Sequence, residues 1–218
     1  MQLDVPVVGI LRGVTYSFFG KIMKTSFASG LQAIEVTMNT DNADKIISGH
    51  LDSVPKGRLL GMGTIRNIRE AGIAIDAGAM FLVSPNTDSS VIEYAQKRGV
   101  PIIAGALTPT EVYTAWSAGA AMVKVFPCAH LGPGYISELL GPFDHVPLVA
   151  VGGINKQNLA DYFMAGADAV GVSSALFGRK AMEEENFKQI GKNVKEFIGL
   201  CIENKRIIEE KKNVQTGN

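Results

Sequence analysis

Apolar residues run along the chain in short continuous blocks, not in strict alternation with polar ones. Eight blocks stand out: "VPVVGIL" (5–11), "AIEVTM" (33–38), "LLGMGTI" (59–65), "FLVSP" (81–85), "VPIIAGAL" (100–107), "MVKVFP" (122–127), "PLVAVGGI" (147–154) and "AVGVSSAL" (169–176). They begin at intervals of roughly 20 to 30 residues, the length of one strand, one helix and two turns. Continuous apolar strands suit a parallel sheet buried on both faces. Between the blocks lie stretches of helix length, among them "TYSFFGKIMKTSFAS", "RNIREAGIAID" and "TDSSVIEYAQKR". Thr87-Asp88, Thr108-Pro109-Thr110-Glu111 and Asn155 stand where caps would open the fourth, fifth and seventh helices.

The pattern repeats. "FASGLQAIEVT", "DAGAMFLVS", "SAGAAMVKV" and "MAGADAVGV" each end a helix in a small residue and glycine, then enter a strand. Eight strand–helix units predict an α/β fold of the (β/α)8 barrel type. The alternative is an open doubly wound sheet, which lacks its signature here because no GxGxxG follows the first strand. "ENFKQIGKNVKEFIGLCIENKR" places Phe187, Ile190, Val194, Phe197 and Cys201 at helical spacing and is expected to be the last barrel helix. Residues 1–218 are expected to form one domain, with 209–218 a frayed tail.

Composition narrows the function classes. The 218 residues carry 21 Lys plus Arg against 21 Asp plus Glu, so neither nucleic acid nor an acidic membrane is an expected partner. Cys128 and Cys201 stand far apart, which argues against a disulfide framework and for a reducing compartment. His50, His130 and His145 lack metal-ligand spacing, so no metal site is read. The start, "MQLDVPVVGILRG", is unlike a signal peptide, and no apolar run reaches the ~18 residues of a membrane span. A cytoplasmic protein is expected.

The charged exceptions inside the apolar blocks carry the chemistry. Glu35 lies five residues after Gly30, Lys124 five after Gly119 and Gly171 five after Gly166. Glu35 and Lys124 thus hold equivalent places on the second and sixth strands, and even-numbered strands fill shared layers of a barrel interior. Two interior charges cost several kcal/mol each unless paired. They are either a buried ion pair or a nucleophilic amine with a carboxylate acid–base partner. Phe126, by alternation, points with Lys124 and would form an apolar wall, or simply pack in the core. Arg12 ends the first strand, as a carboxylate or phosphate clamp or a surface salt bridge. Thr64 ends the third, as a ligand contact or a helix cap. "SPN" (84–86), with Pro85, ends the fourth, and is otherwise a plain turn. The glycine-rich ends of strands seven and eight, "VGGI" and "GVSS", match where this fold binds phosphate.

"IEVTMNT", "GMGT", "SPN", "TPTE", "KVFP", "GPGYI", "VGGI" and "GVSSAL", in that order between residue 5 and about 178, resemble the 2-keto-3-deoxy-6-phosphogluconate (KDPG) and 4-hydroxy-2-oxoglutarate (KHG) aldolase family. The resemblance implies a class I aldolase that releases pyruvate and glyceraldehyde 3-phosphate from a 2-keto-3-deoxy-6-phospho sugar acid, through a Schiff base and without metal or cofactor. It implies Lys124 as the imine lysine, Glu35 as acid–base group and Thr64 near the substrate carboxylate. Gly152, Gly153 and Ser174 would hold the phosphate, and the assembly would be a homotrimer. Asn39 stands where many members have a substrate-binding arginine, and Arg12 resembles its substitute. Met62 replaces an alanine, and Val151 a threonine. Pro85, Val151 and Asn39 are expected in the pocket. "LRG", Asn39, "SPN" and "AVGG" resemble the phosphogalactonate branch, and the C4 configuration of the substrate stays open. The rival functions are an isomerase or synthase in which Lys124 only polarises a carbonyl, and a non-catalytic sugar-phosphate-binding barrel.

Overall fold

The glycine stops divide the chain into the expected units. The computed structural model describes residue 1 and residues 3–216, the backbone alone at 209 and 211–216. In order it contains β1 (Val7–Leu11), α1 (Tyr16–Ala28), β2 (Ala33–Thr37), α2 (Ala43–His50), β3 (Leu59–Gly63), α3 (Ile68–Asp76), β4 (Leu82–Val83) and α4 (Ser89–Lys97). Then come β5 (Ile102–Ala106), α5 (Pro109–Ser117), β6 (Met122–Val125), α6 (Gly134–Leu140), β7 (Leu148–Val151), α7 (Leu159–Met164) and β8 (Ala169–Val172). Two short helices, α8 (Ser174–Phe177) and α9 (Arg179–Glu183), lead into α10 (Phe187–Thr216). Gly30, Gly78, Gly99, Gly119 and Gly166 each follow a helix at positive φ, where a side chain would be strained.

All strand pairs are parallel, and β1 pairs with both β2 and β8, so the sheet is a closed barrel and the open doubly wound alternative is excluded. Closure explains why the strands read as continuous apolar runs. One set of side chains, including Val8, Ala33, Phe81, Val83, Ile103 and Met122, fills the barrel interior. The alternate set, including Leu11, Ile34, Val36, Val123 and Val125, packs outward under the helices. Away from the C-terminal mouth of the barrel neither face meets water, so neither needs polar residues there.

Most expected caps hold. Asp88 accepts from Ser90 and Val91 N–H at the start of α4. Thr108 and Glu111 form a reciprocal capping box on α5. Asn155 is a correction: α7 starts at Leu159, and Asn155 instead folds the preceding turn by accepting from Gln157 N–H at 2.9 Å. On α10, Ile190, Val194, Phe197 and Cys201 are fully buried, and the helix packs against α1 and α7, where a barrel helix belongs. Of the expected frayed tail, the backbone of 209–216 continues α10, and 217–218 lie outside the described residues. Both cysteines are free and buried, and no helix among the described residues is long and apolar enough to cross a membrane.

Candidate active site

The inward positions of β2 are Ala33, Glu35 and Thr37; those of β6 are Met122 and Lys124. Glu35 is 2% exposed and Lys124 is 8% exposed. Their neighbours in the ladder make room. Glu35 pairs with Ile10 and Gly61, and Lys124 with Gly105 and Val149. Gly63, opposite Thr37, lies under the Glu35 carboxylate, and a Cβ there would overlap Glu35 Oε1. Gly105 lies under the Pro85–Asn86 backbone in the same way. These glycines therefore serve side chains and backbone that cross above them.

Burial raises the pKa of Glu35 from 4.5 to about 7, against the pull of Lys124 and Arg12. Burial also lowers Lys124 below its usual value; Glu35 opposes this and Arg12 adds to it. No N···O distance of 4.0 Å or less joins the two in an ion pair among the described residues. Among the described residues, Glu35 Oε2 has no hydrogen-bond partner. A structural buried pair would be expected to satisfy those atoms. A carboxylate poised near neutrality and an amine inclined to lose its proton are instead what proton shuttling and imine formation require. Lys124 Nζ lies 4.9 Å from the centroid of the Phe126 ring, whose face forms one wall of the cavity.

Both groups open into one cavity of about 540 Å³ at the C-terminal ends of the strands. Arg12, Thr64, Pro85, Phe126, Val151, Gly152, Gly153 and Ser174 line it with them. Gly171, the third residue in the shared register, lines it too. Asn39 does not. It is exposed in the turn after β2 and is not among the lining residues, so its expected place in the pocket is corrected.

The strand ends are held by local bonds. Arg12 lines the cavity and makes no ion pair within 4.0 Å among the described residues. The next residue, Gly13, donates to Thr40 Oγ1 at 3.0 Å. Thr64 has φ of 60°, a strained value for a β-branched residue. Gly63 O accepts from Met38 N–H and Ile65 N–H donates to Val83 O on either side of it. Its alternative as a helix cap falls, because Asn67 caps α3. Ser84 Oγ accepts from Gly105 N–H and donates to Asn86 O, which seats Pro85 over the cavity.

The far end is different. Gly152 and Gly153 have φ of 103° and 76°. Beside them stand Ser173, Ser174 and Ala175 at the start of α8. Among the described residues, the N–H groups of Gly152, Gly153, Ser174 and Ala175 have no backbone acceptor. This end offers donors to an anion. Ile10 and Asn155 also line the cavity and are not site candidates in the sequence, and Ser173, which enters there only within "GVSS", lines it as well. Alternation back from Arg12 signals Ile10. The parity of "SS" after a strand end is unreadable, because the chain leaves the pleat there.

No group of three or more His, Cys, Asp or Glu that could hold a metal occurs among the described residues. Residues 4–193 match the family model for KDPG and KHG aldolase. A 2-dehydro-3-deoxy-6-phosphogalactonate aldolase of Escherichia coli strain K12 is 31% identical over 90% of this chain and 96% of its own. The solved native KDPGal structure superposes with a TM-score of 0.87 at 28% identity, over 94% of this chain and 98% of that one. A KDPG aldolase from Legionella pneumophila, solved with pyruvate captured as a covalent carbinolamine, gives 0.80 at 26% identity, over 91% and 93%. With its closed eight-stranded barrel and the lysine and glutamate in one cavity, this chain belongs to the KDPG and KHG aldolase family.

Proposed function

We propose that Lys124 and Glu35 carry out, in this chain, a class I aldol cleavage of a 2-keto-3-deoxy-6-phospho sugar acid. The observation that carries this is the buried lysine and the buried carboxylate opening into one cavity whose far end is lined by free N–H groups.

Neutral Lys124 attacks the C2 ketone, and the carbinolamine hydroxyl, protonated from solvent by way of Glu35, leaves as water to give a protonated imine. The imine is an electron sink beside C3. Ionised Glu35 takes the proton of the C4 hydroxyl, the C3–C4 bond breaks, and its electrons move into the imine as an enamine. Glyceraldehyde 3-phosphate leaves. Glu35 then returns a proton to C3, and water releases pyruvate from Lys124. Arg12 and Thr64 hold the carboxylate. Gly152, Gly153 and Ser174 hold the phosphate, whose binding positions C4. Phe126, Pro85 and Val151 keep the reacting carbons dry.

The "LRG", "SPN" and "AVGG" segments, with the Escherichia coli relative's name, favour the phosphogalactonate configuration at C4. The assembly is a homotrimer, to be read by light scattering, and the two free buried cysteines suit the cytoplasm.

The test is borohydride trapping with pyruvate, read by intact mass and peptide mapping. A pyruvate-sized adduct on Lys124, absent in a folded Lys124→Ala variant, is the expected result. Both C4 epimers are then compared as substrates. An unmodified wild-type protein would overturn the class I mechanism and leave the isomerase or binding-barrel alternatives.

A further inference from the structure

The anion end of the cavity depends on how one peptide plane faces. Gly152 and Gly153 lack a Cβ and both sit at positive φ. Nothing in their own side chains stops the 153–154 peptide from turning its carbonyl toward the cavity, where an anion would meet an acceptor. Two asparagine side chains oppose that rotation. Asn158 Nδ2 donates to Gly153 O at 3.0 Å, and Asn155 Nδ2 donates to the same oxygen at 3.3 Å. Because a trans peptide points its C=O and N–H in opposite directions, holding this oxygen sets the direction of the Ile154 N–H. Ile154 lines the cavity, and its N–H has no backbone acceptor among the described residues.

The two asparagines also hold each other. Asn155 N–H donates to Asn158 Oδ1 at 2.8 Å, and Asn158 N–H donates to Asn155 Oδ1 at 3.3 Å. Leu159 N–H donates to Asn155 O at 3.0 Å, which ties the turn to the first residue of α7. Asn158 itself does not line the cavity. We propose that Asn158 is a positioning residue for the substrate phosphate: it holds the Gly153 carbonyl outward and so keeps the N–H groups of the β7–α7 turn aimed at the anion. This deepens the aldolase reading and rests on it for the identity of the substrate.

The test compares ligands with and without a phosphate. For Asn158→Ala, the KM of the phosphorylated keto acid should rise about tenfold, the effect of one lost hydrogen bond. Affinity for glycerol 3-phosphate, measured by titration calorimetry, should fall by the same factor. The half-saturating pyruvate concentration in borohydride trapping should stay within about twofold, since pyruvate has no phosphate to misplace. Asn158→Asp keeps the acceptor for Asn155 N–H but loses the donor to Gly153 O, and should show at least the same phosphate defect. Unchanged glycerol 3-phosphate affinity, or an equal loss for pyruvate and phosphate ligands, would overturn the proposal. If wild-type protein traps no pyruvate, the aldolase reading fails separately, and the glycerol 3-phosphate comparison still decides the role of Asn158.

Discussion

Glu35 titrates where the chemistry needs it. Its pKa near 7 means that the ionised base accumulates as pH rises through neutrality, while the lowered pKa of Lys124 enlarges the neutral amine fraction in the same direction. The value of kcat/KM should therefore rise with pH through about 7, read from initial rates over a pH series. Glu35→Gln should lower kcat by about 10²- to 10⁴-fold and remove the part of the rise centred near 7, leaving only the contribution of Lys124, with the lysine still able to bind pyruvate covalently. The same shift has a stability consequence. The folded pKa lies above the ordinary value of 4.5, so the folded state holds the proton more tightly. The stabilisation is complete below pH 4.5 and is lost as pH rises through about 7. Wild-type protein should lose on the order of 3 kcal/mol across that window relative to Glu35→Gln, checked by urea unfolding at both ends.

The strand is the unit that delivers each group, and its neighbours decide whether the group fits. Gly63 on β3 shows this most sharply. Ala at that position needs no unusual φ, yet its Cβ would occupy the space of the Glu35 carboxylate. Gly63→Ala should cost about 1–3 kcal/mol through overpacking and lower kcat by at least about tenfold, because Glu35 must leave its place. A variant with wild-type kcat would show that the carboxylate position is not critical. Glu35 and Lys124 are legible in the sequence because the helix-stop glycines mark a common register. What Gly63 and Gly105 are for is not legible there, since that depends on which strands end up adjacent. The apolar block "FLVSP" is also longer than β4, which spans only Leu82–Val83. There Ser84 Oγ, not a backbone carbonyl, takes the Gly105 N–H, so the ladder ends early.

Closure is a property of the whole molecule, and α10 completes the outer ring. Phe197 is fully buried on that helix, which packs against α1 from the opposite end of the chain. Phe197→Ala should cost about 3–5 kcal/mol through lost transfer energy and the cavity left behind. The melting temperature should drop by roughly 6 to 20 °C for a chain of this size, with kcat per folded molecule unchanged. A fall in kcat without a fall in stability would instead connect α10 to the site.

The spacing of apolar blocks and glycine stops was enough to specify eight strand–helix units, because hydrophobic period and backbone strain are local properties. The same register showed that Glu35 and Lys124 share a face, since side-chain direction repeats along any strand. Three features needed the folded chain. Asn39 left the pocket because a turn changes direction after the pleat ends. Burial outweighed the attraction between Glu35 and Lys124, because desolvation depends on everything packed around them. The Asn155–Asn158 hold on Gly153 arose from the path of the β7–α7 turn, where hydrogen bonds depend on angles that residue spacing does not encode.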